Sequence, residues 1–132
     1  MSELLIAFSL WPPVEASPNS RVHWTIRKQA VDEWKVVARV DIHSQVTRDI
    51  LLPLKPPVHA SVTVIVPVAK WRRRDQDNFQ ARLKPVWDIL REEGVIADDR
   101  QETLKVFPPV FMRSEQAPAE GLVITLGGAD TA

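Results

Sequence analysis

The sequence contains no cysteine, and this absence excludes several kinds of protein chemistry. A chain without cysteine has no disulfide, no zinc site with thiolate ligands and no thiol nucleophile. The absence also fits a cytoplasmic protein, which is the location we expect. The apolar start from Met1 to Trp11 carries Glu3 and runs into Pro12 and Pro13, so it predicts a first strand and not a signal peptide. No apolar run approaches the ~20 residues of a membrane helix, so we expect no membrane contact.

Several motifs of nucleotide binding, zinc proteolysis and serine hydrolysis are missing as well. The sequence has no glycine-rich phosphate loop, no His-Glu-x-x-His motif and no Ser-His-Asp order. We therefore expect no small-molecule cofactor. Basic and acidic residues balance at 17 each, so any binding of a polyanion has to come from a local cluster of charge.

The pattern of apolar residues predicts one domain over residues 1–132, because 45% of the residues are hydrophobic and no long linker divides them. Runs of short or alternating apolar residues predict strands at 4–10, 59–68, 103–110 and 121–126. Three-to-four spacing predicts helices at 28–50 and 77–93. The order predicts an α/β or α+β domain with a mixed sheet of about four strands and two main helices on one face.

Three local features refine this fold prediction. Pro85 lies inside the second predicted helix, so we expect a kink or a join between two shorter pieces. Gly94 is a suitable C-terminal stop for that helix. We expect a polar loop around residues 113–119 and a flexible tail over about 127–132.

Two acidic pairs are the most informative feature of the chain. Asp75 and Asp77 form the first pair, within Asp-Gln-Asp-Asn, and Asp98 and Asp99 form the second. Hard cations such as Mg²⁺ prefer carboxylate oxygens, and such ions act on phosphodiesters by activating water and stabilising the leaving oxygen. With the basic run that precedes them, the pairs predict a divalent-metal site within reach of nucleic acid.

Each acidic pair also has a simpler explanation. Aspartate is a favoured helix N-cap, which explains one member of the first pair but not both. A calcium loop is excluded because its sixth position is Gln80 and not glycine. The second pair, after the turn at Gly94, is by itself better explained as a solvated loop, and it indicates a metal site only in combination with the first pair. A straight helix over 77–93 would hold the pairs ~25 Å apart, so they meet only if the helix starts late or the chain folds back near Pro85.

Basic residues around the first pair predict contacts with phosphate. The run directly before it is Lys70, Trp71, Arg72, Arg73 and Arg74. Arginine can form paired bonds to phosphate, and tryptophan can stack on an unpaired base; a solubilising charged turn is the alternative. Lys84 follows Asp77 by two helical turns, so it lies on nearly the same face. It is placed to neutralise phosphate charge, although an ordinary surface lysine fits as well.

A second polar and aromatic segment precedes the first helix. It contains Asn19, Arg21, His23 and Trp24, with Lys28 close behind. The segment predicts another nucleic-acid contact. A buried His23 and a packed Trp24 fit the same sequence equally well.

Together these segments resemble the RusA family of Holliday junction resolvases, which is found in bacteriophages and prophages. Three ordered stretches carry the resemblance: 18–24 (Pro-Asn-Ser-Arg-Val-His-Trp), 72–78 (Arg-Arg-Arg-Asp-Gln-Asp-Asn) and 88–99, which has Asp-x-Leu, Gly and Asp-Asp. The resemblance covers most of the chain, and the ordered set is far more specific than any one piece.

The resemblance implies a RusA-like fold and a metal-dependent endodeoxyribonuclease that resolves four-way DNA junctions by paired nicks, in DNA recombination and repair. It implies Mg²⁺ as cofactor, with Mn²⁺ as an alternative, and a homodimer, since a C₂ dimer presents two identical sites to a pseudo-two-fold junction. By motif position the metal ligands would be Asp75, Asp77 and Asp99, with Asp98 adjacent.

One position departs from the family pattern. The residue four after Asp77 is Ala81, whereas the family has a catalytic lysine in this helix. Lys84 is the nearest substitute, and Asp88 is expected to be structural. Two other classes remain open: a protein of the same fold that binds branched DNA without cutting it, and a structural domain stabilised by metal.

Overall fold

The computed structural model of the chain describes residues 3–17, 21–46, 50–68, 79–100, 102–115 and 120–128. Its strands are β1 Leu4–Phe8, β2 Val58–Pro67, β3 Leu104–Val106, β4 Val110–Ser114 and β5 Gly121–Gly128. Its helices are α1 Trp24–Gln45 and α2 Lys84–Glu92, with short 3₁₀ turns at Val14–Ala16 and Gln80–Leu83. This arrangement confirms the predicted class, a small mixed α+β domain with two main helices.

The five strands form one mixed sheet. Its order is β1, β5, β2, and then β3 and β4, which both pair with β2 on its remaining edge. β5 is antiparallel to β1 and β2, whereas β3 and β4 are parallel to β2. Consequently β1 and β2 finish at the same end of the sheet. We refer to this as the β2 exit end.

Both helices pack on one face of the sheet and enclose the core. Alternate residues of β2 point inward, so Val58, Ala60, Val62 and Val64 are buried almost completely. Burial of each of these valines contributes about 1.5–3 kcal/mol. The two helices are tied by Glu93, which accepts a bond from Arg39 and lies 2.6 Å from His43. Neither described helix combines the length and the apolar composition needed to cross a membrane.

The first helix starts and ends earlier than predicted. It spans Trp24–Gln45, whereas the apolar spacing predicted residues 28–50. The start was missed because His23, an uncommon cap, closes the first turn: its Nδ1 accepts the Thr25 N–H at 3.2 Å. The helix ends where Val46 takes up extended backbone angles.

The second predicted helix begins late. Residues 80–83 form a 3₁₀ turn, and the α-helix starts at Lys84. Pro85 therefore lies in the first turn of α2, where its missing N–H costs nothing. It marks a join between two shorter pieces, which was one of the two predicted alternatives, and not a kink. Gly94 ends the helix as predicted, with φ of +75°, and Val95 N–H bonds back to Leu90 O at 2.9 Å.

The strand predicted over 103–110 is two strands. Pro108 and Pro109 lack N–H donors and separate β3 from β4. Ala60 pairs with Val106 and Thr63 with Val110, so the outer chain carries one extra residue, as in a bulge. For this reason the sheet has five strands instead of about four.

Two further boundaries differ from the predictions. β4 continues to Ser114, so Arg113 lies in a strand and not in the expected polar loop. β5 continues to Gly128, because the backbone of Gly127 pairs with His59. Residues 127 and 128, which were predicted to lie in a tail, therefore belong to a strand, and residues 129–132 lie outside the described ranges.

Candidate metal and nucleic-acid site

Much of the predicted DNA-processing apparatus lies outside the described residues. This group comprises Asn19, Trp71, Arg72, Arg73, Arg74, Asp75 and Asp77. The residues on either side of the undescribed segment 69–78 are Val68 and Phe79, and both lie at the β2 exit end. Val68 directly follows β2, and Phe79 contacts Phe111, whose strand partner is Val64 near the end of β2.

An aromatic cluster holds Phe79, which follows the Asp-x-Asp-Asn segment. Its side chain is 4% exposed and makes edge contacts with Trp11 at 5.4 Å and Phe111 at 5.8 Å. The Arg82 guanidinium lies 4.9 Å from the Phe79 ring centre and donates to Pro12 O at 2.5 Å. The chain therefore enters α2 from a position fixed by core packing.

Four charged side chains form a continuous row along α2, which we call the charged row. Its members are Lys84, Asp88, Arg91 and Asp99. Lys84 Nζ and Arg91 Nη2 lie 3.6 and 3.8 Å from the same Asp88 oxygen, and Arg91 Nη1 lies 3.4 Å from Asp99 Oδ1. The first three are spaced i, i+4 and i+7, which places them on one helical face.

The charged row links two of the residues predicted to be catalytic, Lys84 and Asp99, through Asp88 and Arg91. Lys84 stands at the start of α2 and is 74% exposed, whereas Asp99 is 23% exposed. Asp99 reaches the helix because the chain turns at Gly94 and runs back beside α2 as far as Arg91. Of the two alternatives stated for the approach of the acidic pairs, the late helix start is observed, because α2 begins at Lys84. A fold-back near Pro85 is not observed, because Pro85 lies within the first turn of α2.

The carboxylate of Asp98 makes its contacts within the turn that contains it. Its Oδ1 accepts the N–H groups of Asp99 at 2.7 Å and Arg100 at 3.2 Å, and its Oδ2 lies 2.6 Å from Arg100 Nε. Partial desolvation raises the pKa of this carboxyl, but the two backbone bonds and the Arg100 charge outweigh it, so the net pKa lies below the ordinary 3.8.

These contacts distinguish Asp98 from Asp99 as candidate metal ligands. Asp98 uses both oxygens to shape the turn, whereas Asp99 has one ion pair at 3.4 Å and a partly exposed carboxylate. The chemistry of Asp99 therefore fits a hard cation better than that of Asp98. Among the described residues no three acidic or histidine side chains converge as a metal site. The predicted set also draws on Asp75 and Asp77, so it stays a prediction.

The residues predicted as a second DNA contact lie at the start of α1. Arg21, His23 and Lys28 are exposed, and Trp24 is 67% exposed, so the alternative of a buried His23 and a packed Trp24 is wrong. The 3₁₀ turn at Val14–Ala16 packs against both α1 and the turn that precedes α2. The start of α1 therefore belongs to the β2 exit end.

Lys28 is not a free cation within this group. Its ammonium donates to Asp32 at 2.8 Å, one helical turn away. This bond raises the pKa of Lys28 and lowers the pKa of Asp32. A phosphate at this point would have to compete with Asp32 for the ammonium.

Arg91 belongs to the charged row, but the sequence did not single it out as a site residue. It connects Asp88 with Asp99 and is the centre of the charged row. A signal was present, because Lys84, Asp88 and Arg91 have helical spacing and alternate in sign. The contact with Asp99 depends on the path of the turn after Gly94, which the spacing does not give.

Comparison with known proteins supplies no activity. No protein-family model matches the chain. An uncharacterized protein of Xylella fastidiosa is 32% identical over 90 residues, which is 68% of this chain and 58% of the relative. The chain thus spans less than two thirds of the relative's length, and the name of that relative states no function.

Proposed function

We propose that the chain is a Mg²⁺-dependent endonuclease that cuts four-way DNA junctions, similar to the RusA family. The observation that carries the proposal is the charged row. It aligns an exposed lysine and an accessible aspartate on one face of the helix that directly follows the Asp-x-Asp-Asn segment. A carboxylate able to bind a metal ion and a cation able to meet the phosphate are two of the elements of a metal-dependent phosphodiester-cleaving site.

Asp75, Asp77 and Asp99 would hold the metal, which when bound supplies an activated water and neutralises phosphate charge. Arg91 neutralises Asp99 and holds its carboxylate beside α2. Asp98 fixes the turn that presents Asp99, so its role in this proposal is positioning. Lys84 meets the phosphate from the start of the helix, where its ammonium is exposed.

Groups at the β2 exit end would hold the DNA backbone. The start of α1 offers Arg21 and His23, with the exposed ring of Trp24 for stacking on an unpaired base. The arginine run 72–74 would add phosphate contacts. In this proposal the active unit is a homodimer in the cytoplasm, because two symmetric nicks require two equivalent sites.

The test uses a labelled synthetic four-way junction and a linear duplex of matched sequence, each with and without Mg²⁺ or Mn²⁺. We expect paired nicks in the junction only, and only with metal. Asp77→Asn and Asp99→Asn should abolish cutting and leave junction binding within about twofold, since a substitution of a ligand spares the phosphate contacts. Glu33→Gln, an exposed carboxylate on α1, is the matched control and should cut normally.

Each alternative result has a distinct meaning. Binding of the junction without cutting in either metal would identify a DNA-structure-binding protein. Equal cutting of both substrates would leave a nuclease without junction selectivity. Absence of both binding and cutting would refute the proposal.

A further inference from the structure

The guanidinium of Arg91 contacts two carboxylates at once. Its Nη2 lies 3.8 Å from Asp88 Oδ1, and its Nη1 lies 3.4 Å from Asp99 Oδ1. Asp88 precedes Arg91 by three residues on α2, whereas Asp99 lies beyond the turn at Gly94. Arg91 therefore bridges a carboxylate that belongs to its own helix and the carboxylate that the proposed function assigns to a metal ion.

Arg91 is held loosely by both partners. A tight charge-assisted bond between nitrogen and oxygen measures about 2.7–2.9 Å, and both distances from Arg91 are longer. The arginine side chain is 45% exposed, so water screens the two pairs. Such a guanidinium exchanges one partner for another at little cost.

Asp99 is released from this contact by exchange and not by loss of a proton. A guanidinium stays protonated in proteins, so Arg91 keeps its charge whatever its partner. A divalent cation on Asp99 repels that charge, because the two have the same sign. Binding of the metal ion therefore frees Arg91 from Asp99.

The charges of the row show what the freed arginine is suited to bind. The row contains two cations, Lys84 and Arg91, and two carboxylates, so it is neutral as it stands. Once Asp99 belongs to a metal ion, the two cations face Asp88 alone. The surplus positive charge then attracts an anion, and a phosphate accepts paired bonds from arginine.

We propose that Arg91 is an exchangeable counter-ion, which neutralises Asp99 when no metal ion is bound and passes to a DNA phosphate when one is. The inference rests on the proposed function in one respect, the assignment of Asp99 as a metal ligand. It adds that metal and DNA bind cooperatively through Arg91. This coupling is reciprocal, so the metal ion raises the affinity for DNA by the factor by which DNA raises the affinity for the metal ion.

A titration of the full chain with Mn²⁺, without DNA, tests the first half of the proposal. Electron paramagnetic resonance measures the free ion. Arg91→Gln should bind Mn²⁺ about two- to fivefold more tightly than wild type, which is the factor expected from losing one exposed ion pair. Arg39→Gln is the matched control, because Arg39 is 42% exposed and pairs with Glu93 at 3.2 Å. It removes the same charge from another pair and should bind Mn²⁺ like wild type.

Junction binding tests the second half. Fluorescence titrations at several salt concentrations are made with and without a fixed concentration of Ca²⁺, which takes oxygen ligands as Mg²⁺ does. With Ca²⁺, the slope of log binding constant against log salt should be steeper for wild type than for Arg91→Gln by about 0.9, the value for one phosphate contact. Without divalent ions the two slopes should agree. A purely structural role of Arg91 would leave the slopes equal under both conditions.

Melting curves separate these effects from unfolding. Both variants change an exposed side chain, so their Tm should stay within about 3 °C of wild type. Equal Mn²⁺ affinity of wild type and Arg91→Gln would overturn the proposal. Tighter Mn²⁺ binding by Arg39→Gln to the same extent, or a slope difference that does not depend on Ca²⁺, would overturn it as well.

Failure of the proposed function gives different results. If Arg91→Gln tightens Mn²⁺ binding and shows the slope difference, but wild type cuts no junction, the counter-ion is upheld and the nuclease is refuted. If wild type cuts junctions with metal while Arg91→Gln leaves Mn²⁺ affinity unchanged, the nuclease is upheld and the counter-ion is refuted. Absence of Mn²⁺ binding or of junction binding in both chains would refute both.

Discussion

Replacing Phe79 by alanine tests whether the aromatic cluster anchors the chain at the entrance to the candidate site. Phe79 is 4% exposed and contacts Trp11, Phe111 and Arg82. Truncation of a buried phenylalanine costs about 3–5 kcal/mol, from lost transfer free energy and the cavity that remains. A domain of this length has a total stability of roughly 7–20 kcal/mol. The variant should therefore fold at 25 °C but with a much smaller margin.

Urea unfolding and calorimetry measure this loss. We expect the free energy of unfolding to fall by about 4 kcal/mol and Tm by about 15 °C, at roughly 4 °C for each kcal/mol. Phe79→Leu should cost less, about 1–1.5 kcal/mol, because most of the volume remains. Leu51→Ala is the control, since Leu51 is 90% exposed and its loss should stay within about 0.5 kcal/mol. A loss below about 1 kcal/mol for Phe79→Ala would refute the anchoring role.

Three further predictions concern the turn and the start of α1. Asp98→Asn should destabilise the chain at pH 7, and this loss of stability should shrink as the pH falls below 3.8. The reason is that the pKa of Asp98 is lowered in the folded state, so its contribution to stability is lost as the carboxyl is protonated. Urea titrations at pH 7 and below pH 3.8 measure the loss, and a loss independent of pH would contradict the prediction. Gly94→Ala should cost about 1–2 kcal/mol by the same method, since no atom lies within 4 Å and the positive φ alone opposes the new side chain; an unchanged stability would contradict the strain. Lys28→Gln should reduce the slope of log binding constant against log salt concentration by clearly less than about 0.9, the value for one phosphate contact, because Asp32 holds the ammonium at 2.8 Å. Fluorescence titrations of junction binding at several salt concentrations measure this slope. A reduction of about 0.9 would show that Lys28 makes an independent phosphate contact.

The fold was predictable where a periodic pattern was unbroken. β2 was predicted at 59–68 and lies at Val58–Pro67, because alternating β-branched residues specify a half-buried strand directly. Pro85 marks the predicted join between two shorter pieces, but the start of the α-helix could not be located from spacing alone, because proline is tolerated in a first turn. The strand at 103–110 was misread because Pro108 and Pro109 were not weighed against its apolar pattern.

The candidate site was predictable as a set of residue types and not as an arrangement. The motif spacing selected Asp99 and Lys84, and the charged row brings both to one face of α2. Their separate roles depend on contacts that local sequence does not encode: Asp98 bonds its own turn, and Arg91 reaches Asp99 only because the chain folds back. The approach of Asp75 and Asp77 to Asp99 is still a prediction.

The outer edge of β1 is finished by side chains of α1. Gln45 accepts the Ala7 N–H and donates to the Ala7 carbonyl, both at 2.7 Å, and Asp41 accepts the Ser9 N–H at 2.9 Å. These bonds replace those that an added strand would make. The outward backbone groups of Ala7 and the N–H of Ser9 are therefore not available to an added strand, which shortens the part of the β1 edge that a second chain could pair with. Substitution of Gln45 by alanine would expose the N–H and C=O of Ala7 and lengthen the stretch of β1 edge open to strand pairing.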